Sequence, residues 1–204
     1  LYESGSSPTI SIEALFIVFA LCAGADMSWC TMDIGSAFLH SQMKEFVAVY
    51  ISAALAQFVV EVMPSAAAYL DKKGRLLVKL NKALYGCIQS SRLWYNHMDE
   101  VLKEYGFRPN AYEPCIYTKG EVGSQVIVGM HVDDLFVCAN TKELRDECVE
   151  FLKPRFIEVK MKLGSVNSYL GMRVRDTEDS IEVDMSVYID ECLEWSKVPG
   201  TAAT

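Results

Sequence analysis

The sequence predicts an α+β fold in which helices pack on an antiparallel sheet. Two observations carry this prediction. Segments with helical periodicity and recognisable ends follow short apolar runs of strand length, and turn-like segments short enough for hairpins separate those runs. The composition suits an ordinary buried core, because 51% of the 204 residues are hydrophobic. A chain of this length accommodates one large domain or two small ones.

Three stretches have the pattern of helices. Ser90 or Ser91 can cap a helix whose apolar side chains recur at helical spacing as far as Gly106, a residue typical of helix ends. A second helix is expected between the cap-competent Thr141 and the helix-breaking Pro154. A short third helix is predicted in SVYIDECLEWSK, near the C-terminal end of the sequence.

The N-terminal region contains an apolar run, Ala14–Ala25, which we expect to be a buried helix. Its twelve residues are too few to cross a bilayer, which takes about 20, and no basic segment precedes it. The first Lys or Arg is Lys44 and the sequence has no initiator Met, so we expect the chain to be a piece of a longer protein.

Short apolar runs predict two hairpins. Cys115–Thr118 and Gln125–Met130 flank the turn-like KGEVGS, and LFVCA continues as a strand after two acidic residues. This order places Asp133 and Asp134 at a hairpin tip. YLGMRV and SIEVDM predict a second hairpin across RDTED.

Charge and cysteine content narrow the function classes. The 27 acidic residues outnumber the 19 basic ones, and a net charge of −8 disfavours sequence-independent capture of nucleic acid by this chain alone. The same negative net charge is compatible with a metal site built from acidic side chains. The seven cysteines are scattered without C-x-x-C spacing or His pairing, so neither a disulfide framework nor a zinc site is predicted. A reducing, intracellular setting fits best.

Two adjacent carboxylates, Asp133 and Asp134, interrupt the apolar run GMHVDDLFV. An unpaired buried charge costs about 5 kcal/mol, so a cation is expected between them. Hard divalent ions such as magnesium bind carboxylates together with substrate phosphates, and Asp33 in TMDIGSAFLH is the candidate third acid. It stands at a predicted strand end before the helix-compatible SAFLHSQMKE. For the pair alone, a solvated turn is the competing interpretation.

The motifs MDIGSAFLHSQMKEFVAVY, KLNKALYGCIQSSRLWY and HVDDLFV, in this order, resemble the core motifs of the reverse transcriptase of copia-type retrotransposons. YLGMRV, SVYIDECLEW and YESGSSPTISIEAL match further blocks of the family, so the resemblance covers nearly the whole chain. It implies a right-hand polymerase palm, an antiparallel sheet backed by helices, with partial fingers and the beginning of the thumb connection. The implied ranges within one core fragment, 1–204, are 1–28 and 44–90 for the fingers, 29–43 and 91–176 for the palm, and 177–204 for the connection.

The resemblance implies RNA-directed DNA polymerase activity, in which deoxynucleoside triphosphates extend a primer on an RNA or DNA template. Asp33, Asp133 and Asp134 would be the catalytic acids and would bind two magnesium ions, with Asp33 and Asp133 bridging both ions and Asp134 assisting from one side. One ion would lower the pKa of the primer 3′-hydroxyl, and the other would neutralise the triphosphate.

The same resemblance implies the cellular context. The other partners would be the protease, integrase and ribonuclease H regions of a Pol polyprotein, with no membrane partner. The expected location is intracellular and cytoplasmic, within virus-like particles when the element is active.

Two further positions gain substrate roles from the resemblance. Phe38 would form the aromatic floor beneath the deoxyribose and exclude a ribose 2′-hydroxyl, and Gln89 would contact the incoming nucleotide. As isolated residues they would be a core aromatic and a helix-start residue. Trp94 and Tyr95 are expected in the core rather than as base-stacking platforms, and His97 as a packing or surface histidine.

The chain departs from the family pattern at His131, where Tyr is usual, at Ile88, where Lys is common, and at Ser91, where Pro is common. The segment ISAALAQFVVEVMPSAAAYLDKKG also departs from it. These departures support an alternative: a decayed or domesticated palm-like module without turnover, acting as a binding or structural piece. The intact acids favour a polymerase whose activity belongs to the complete polyprotein rather than to this stretch alone.

Overall fold

The computed structural model describes residues 7–163, 166–177 and 180–196. The chain divides into two compact units. Within the described ranges, the smaller unit is residues 38–97, and the larger unit comprises residues 7–37 and everything after residue 97. Helices and antiparallel sheets make up both units, which confirms the predicted α+β class. The assignment of residue ranges to fingers, palm and connection stays a prediction.

Secondary-structure elements are numbered in chain order. The helices are α1 (Ile12–Gly24), α2 (Ala53–Val62), α3 (Ser90–Glu104), α4 (Lys142–Leu152) and α5 (Ser186–Ser196). The strands are β1 (Ser28–Ile34), β2 (Ala48–Ile51), β3 (Leu76–Lys79), β4 (Arg108–Pro109), β5 (Ile116–Glu121), β6 (Ser124–His131), β7 (Asp134–Ala139), β8 (Val159–Lys162), β9 (Val166–Tyr169), β10 (Met172–Asp176) and β11 (Ile181–Asp184). Short 3₁₀ turns lie at Ala37–His40, Pro64–Tyr69 and Lys153–Arg155.

The main sheet of the larger unit has the strand order β4-β5-β6-β7-β1-β8, and all neighbours are antiparallel. The predicted hairpin of β5, β6 and β7 is therefore present. β1 comes from far earlier in the chain and lies between β7 and β8, pairing Ser28 with Ala139 at one end and Asp33 with Asp134 at the other. The interior position of β1 joins the two acidic motifs in one ladder.

Helix α1 covers one face of this sheet. The hydroxyl of Ser11 accepts a hydrogen bond from the Ala14 amide and so caps the helix start. Phe19 packs edge-on against Phe136 of β7 at 4.8 Å between ring centroids, and Phe136 stacks on Trp29 at 5.3 Å. The prediction of a buried helix is correct for one face only, because Leu15, Val18 and Phe19 are buried while other apolar side chains of the helix are exposed. Its exposed side chains include Phe16, Ile17 and Leu21.

Helices α3 and α4 form where the sequence predicts them. The Thr141 hydroxyl accepts from the Leu144 amide at 3.3 Å and caps α4. Trp94 in α3 is 1% exposed, so its expected core role is confirmed, and Tyr95 is half-buried. The helix-compatible stretch after Asp33 forms only the 3₁₀ turn Ala37–His40, because Ser36 adopts a left-handed φ of 55° that an α-helix does not allow.

The smaller unit has its own apolar core. β2 and β3 pair antiparallel, and their inner side chains pack on α2 and on the 3₁₀ turn Pro64–Tyr69. The buried members of this core are Ala56, Ala66 and Leu76, with Ile51, Val59, Val60 and Val78 packed against them. None of these elements is predicted from the sequence.

The C-terminal part of the larger unit contains the sheet β11-β10-β9. The predicted hairpin of β10 and β11 is present, and YLGMRV contains a further turn at Leu170 and Gly171, both at positive φ. No residue of α5 is buried. Among the described residues, no helix combines the length and apolar character needed to span a membrane.

All seven cysteines are free thiols. Cys87 is half-buried and Cys192 is exposed. Burial raises the pKa of Cys30 and of Cys148 to about 12, so both stay protonated at neutral pH. The remaining buried thiols are Cys22, Cys115 and Cys138.

Candidate active site

The acidic pair lies at the tip of the β6–β7 hairpin, as the sequence predicts. β6 ends at His131 and β7 begins at Asp134, so the loop consists of Val132 and Asp133. Val132 has a φ of 54°, which fits a turn with positive φ at its first central residue. A β-branched side chain is costly in this conformation, so the chain stores strain beside its acids.

Asp33 reaches the same place from β1. It is the direct cross-strand partner of Asp134, and directly opposed residues place their Cβ atoms about 4.5–5.5 Å apart on one face of the sheet. The Ile34 amide donates to the Asp133 carbonyl at 3.0 Å and ties the end of β1 to the turn. The structure therefore brings together the three acids that the sequence analysis selected.

The end of β1 is also fixed on its other side. The Gly35 amide donates to the Glu158 carbonyl at 2.9 Å, just before β8. A Cβ at position 35 would lie 2.7 Å from Glu158 Oε2 and 3.0 Å from Glu158 Cβ, so glycine leaves room for the Glu158 side chain. This contact limits the movement of Asp33, two residues earlier.

The three carboxylates are partly buried and repel one another. The pKa of Asp134 is raised above its ordinary value, first by burial and then by the negative charges of Asp133 and Asp33. His131 and Lys162 act in the opposite direction, because positive charge favours the ionised carboxylate. Because the pKa of Asp134 remains raised, the effects of His131 and Lys162 do not fully offset those of burial and of the neighbouring acids.

Two neighbours of the acids were missed by the sequence analysis. The Tyr169 hydroxyl donates to the Asp134 carbonyl at 3.5 Å, and its side chain is only 2% exposed. Lys162, at the end of β8, is close enough to affect the pKa of Asp134. The alternation Val-Lys-Met-Lys in β8 was a usable signal for Lys162. Tyr169 had none, because its contact with the Asp134 carbonyl joins residues 35 apart in the sequence.

The donor set fits a hard divalent cation in its chemistry, since all three groups are carboxylates. Within the residues that the structure describes, however, no group of three or more His, Cys, Asp or Glu side chains converges closely enough to hold a metal ion. The strand register brings the backbones of Asp33, Asp133 and Asp134 close enough to share an ion. To bind that ion, their side chains would have to rotate towards it.

Phe38 and Gln89 belong to the smaller unit. Phe38 is half-buried, and its ring lies 5.5 Å from that of the exposed Tyr85. Gln89 Nε2 donates to Glu45 Oε2 at 2.6 Å. His97 is half-buried. The substrate roles of Phe38 and Gln89 stay predictions.

Comparison with known proteins gives a family match over almost the whole chain. A family model described as reverse transcriptase (RNA-dependent DNA polymerase) matches residues 1–203. Similar curated proteins include the retrovirus-related Pol polyprotein from transposon TNT 1-94 of Nicotiana tabacum, which is 27% identical over 92% of this chain and 13% of its own length. The Pol polyprotein from transposon RE1 of Arabidopsis thaliana is 25% identical over 94% of this chain and 12% of its own length.

A third curated relative and one solved structure also match this chain. The putative transposon Ty5-1 protein of Saccharomyces cerevisiae is 27% identical over 82% of this chain and 50% of its own length. The chain thus spans half or less of these relatives. A structure of apo telomerase from Candida tropicalis aligns with a TM-score of 0.47 and 10% identity, over 87% of this chain and 41% of the telomerase chain.

Proposed function

Because the chain belongs to the reverse transcriptase (RNA-dependent DNA polymerase) family, we propose that it extends a primer with deoxynucleotides on an RNA or DNA template. The observation that carries the proposal is the register that sets Asp33 opposite Asp134, next to Asp133 in the hairpin loop. Family membership alone would not require these acids to meet, and a decayed copy could have lost any of them.

The three acids would hold two magnesium ions, with Asp33 and Asp133 as the principal ligands and Asp134 assisting. The raised pKa of Asp134 supports this role, because burial and then the charges of Asp133 and Asp33 disfavour its ionised form, and a bound cation would offset both. When bound, the ions would activate the primer 3′-hydroxyl and neutralise the charge of the triphosphate.

The surrounding residues position the acids. The Tyr169 hydroxyl and the Ile34 amide hold the backbone carbonyls of Asp134 and Asp133, so both ends of the acidic pair are tethered. In the smaller unit, Phe38 would exclude the ribose 2′-hydroxyl. Gln89 would contact the incoming nucleotide, and to do so its amide must leave Glu45.

The proposed setting is a copia-type retrotransposon Pol polyprotein with protease, integrase and ribonuclease H regions, located in the cytoplasm and in virus-like particles. The relatives from Nicotiana tabacum and Arabidopsis thaliana, which are Pol polyproteins, support this setting.

Primer extension by the complete open reading frame tests the proposal. We expect wild type to extend a labelled primer with magnesium and Asp133→Asn to lose extension. Asp190→Asn, which changes an exposed acid of α5, is the matched control and should retain extension. If wild type shows no extension while remaining folded, the protein is the non-polymerising module instead.

A further inference from the structure

Helix α2 has apolar side chains on two sides, and the core of the smaller unit covers only one of them. The covered side packs into that core through Ala56, Val59 and Val60. On the other side, Leu55 is 59% exposed, Phe58 is 62% exposed and Val62 is 89% exposed. Residues three and seven positions apart lie on one side of an α-helix, so these three side chains form a single row. We define the α2 outer stripe as Leu55, Phe58 and Val62.

The sequence around the α2 outer stripe is poor in charge. Glu61 is the only charged residue between Glu45 and Asp71. This region includes most of the segment that departs from the family pattern, ISAALAQFVVEVMPSAAAYLDKKG. A surface helix of a globular protein usually carries polar and charged side chains opposite its buried face, and contiguous exposed apolar patches mark interaction sites. The stripe therefore indicates a surface that a partner covers.

The scarcity of charge also narrows the kind of partner. Helices that lie on a membrane surface carry Lys and Arg on their polar side, and α2 contains neither. A nucleic acid would need basic side chains for its phosphates. An apolar row is best matched by another apolar row of the same length and spacing. A second copy of the chain supplies such a row through two-fold symmetry.

We propose that two copies of the chain associate through the α2 outer stripe, with their α2 helices packed antiparallel about a two-fold axis. The axis would pass close to Phe58, so that the two Phe58 side chains meet. Leu55 of each copy would lie against Val62 of the other, because these residues are about 5 Å along the helix on either side of Phe58. A self-complementary contact of this kind closes at two copies.

The polar groups of α2 favour the antiparallel orientation. No described side chain caps the start of α2 through Ser52, and its first turn contains no acidic residue. Antiparallel packing would bring Glu61 of one copy beside the start of α2 in the other, where free amides and the helix dipole favour a carboxylate. Parallel packing would instead place the two Glu61 side chains next to each other, and their repulsion disfavours it.

The exposed area of the stripe determines how strong the association can be. At about 200 Å² for a fully exposed large side chain, the stripe offers roughly 400 Å² per copy. The exposed Met63 and Tyr69, which follow α2 in the chain, offer roughly 250 Å² more on the same basis. Two copies would then bury about 1,300 Å², the low end of the range for specific interfaces. We therefore expect a dimer with a dissociation constant in the micromolar range.

Sedimentation velocity without metal or nucleotide tests the proposal at about 1 to 200 µM, a range that brackets a micromolar dissociation constant. Wild type should shift from monomer to dimer as its concentration rises. Phe58→Glu would place two like charges at the axis and should weaken dimerisation by about 100-fold or more. Phe46→Glu is the matched control, because Phe46 is a 79% exposed ring of the same unit outside α2. It should dimerise like wild type, and circular dichroism melts establish that both variants are folded.

Disulfide cross-linking tests the orientation with smaller changes to the surface. The background replaces the two cysteines that are not buried, Cys87 and Cys192, with Ser. With oxidised glutathione as the oxidant, Phe58→Cys should form a disulfide-linked dimer. Leu55→Cys mixed with Val62→Cys should cross-link faster than either variant alone, because the antiparallel arrangement brings these two positions together.

Several results would overturn the proposal. Wild type could remain monomeric throughout the concentration range, form species larger than a dimer, or dimerise equally well as Phe58→Glu. Tyr112→Cys, at a side chain of the larger unit that is 97% exposed, could cross-link as fast as Phe58→Cys, which would show random collision. Wild type could also co-sediment with phosphatidylcholine vesicles while Phe58→Glu does not, since the stripe would then bind lipid.

The outcome is separable from that of the proposed function. Asp133→Asn should dimerise like wild type, because Asp133 lies in the larger unit and α2 in the smaller one. A chain that dimerises through the α2 outer stripe and extends no primer contradicts only the polymerase proposal. A chain that extends primers and stays monomeric contradicts only this inference.

Discussion

Asp33 and Asp134 are direct cross-strand partners in the ladder of β1 and β7, although about half of the chain separates them in sequence. Like charges directly opposite each other destabilise a sheet. The stability of the fold therefore does not explain this pairing, and the repulsion that it causes determines the first two predictions.

Asp134→Asn should make the metal-free protein more stable at neutral pH. The pKa of Asp134 is raised in the folded state, so the folded protein holds this proton more tightly than the unfolded chain does. Wild-type stability therefore falls relative to the variant as pH rises from the ordinary Asp value through the raised one. Thermal melts of both proteins across that window should diverge with rising pH; curves that stay parallel would contradict the raised pKa.

Asp133→Asn should abolish stabilisation by magnesium without lowering metal-free stability. A ligand that binds only the folded state raises the melting temperature with its concentration, and this variant removes a proposed bridging ligand. A magnesium titration by differential scanning fluorimetry compares wild type, Asp133→Asn and the Asp190→Asn control. A large loss of metal-free stability in Asp133→Asn would make this acid structural.

Val132→Gly should raise the free energy of unfolding by about 1 kcal/mol. The change relieves backbone strain of about 1–3 kcal/mol, and about 0.5–1 kcal/mol of this is offset by the greater freedom of glycine in the unfolded chain. Val122 is a matched control, because it also opens a two-residue hairpin loop but does not have positive φ. Urea denaturation should show a gain for Val132→Gly and none for Val122→Gly.

Phe38→Val should admit ribonucleotides if the ring lies under the sugar of the incoming nucleotide, because steric exclusion disappears with the ring. Phe38 is only half-buried, so the stability loss should be below the 3–5 kcal/mol or so typical of losing a core aromatic. The measurement is the ratio of deoxy to ribo incorporation in the full-length protein. Phe58→Val, at another exposed ring of the smaller unit, should leave the ratio unchanged. An unchanged ratio with a strongly lowered melting temperature in Phe38→Val would make Phe38 a packing residue.

Phe151→Leu should destabilise the larger unit by about 1–2 kcal/mol. Its ring stacks on Tyr105 at 3.9 Å between centroids, and the Arg155 guanidinium carbon lies 3.7 Å from the Phe151 centroid, so the change removes a ring pair and a cation–π contact. Chemical denaturation measures the loss. Tyr112→Leu, at a fully solvated ring, should have no effect, and equal losses would exclude the stacking explanation.

Local signals in the sequence were sufficient for elements with clear ends. Thr141 and Pro154 bracket α4, and the two apolar runs before Asp133 became β5 and β6. The stretch after Asp33 has helical composition, but the left-handed Ser36 and the hydrogen bond from the Met43 amide to the Asn81 carbonyl lead it away from a helix. Non-local contacts of this kind leave no local pattern.

The proximity of the three acids in the fold was predictable from the sequence, whereas their surroundings were not. Two acidic motifs in apolar context suffice to select Asp33, Asp133 and Asp134 from the sequence. The register that opposes Asp33 to Asp134, and the contact of Tyr169 with the Asp134 carbonyl, both join segments that are far apart in the sequence.

Because most thiols are buried, the natural cysteines allow selective labelling with thiol-reactive dyes. Maleimides react with thiolates, so Cys30 and Cys148, with their pKa near 12, should resist labelling in the folded state. Cys87 in the smaller unit and Cys192 in the larger unit are the two cysteines that are not buried. A donor and an acceptor fluorophore on this pair would report, by energy transfer, whether the units move relative to each other when an oligonucleotide binds, without any engineered cysteine.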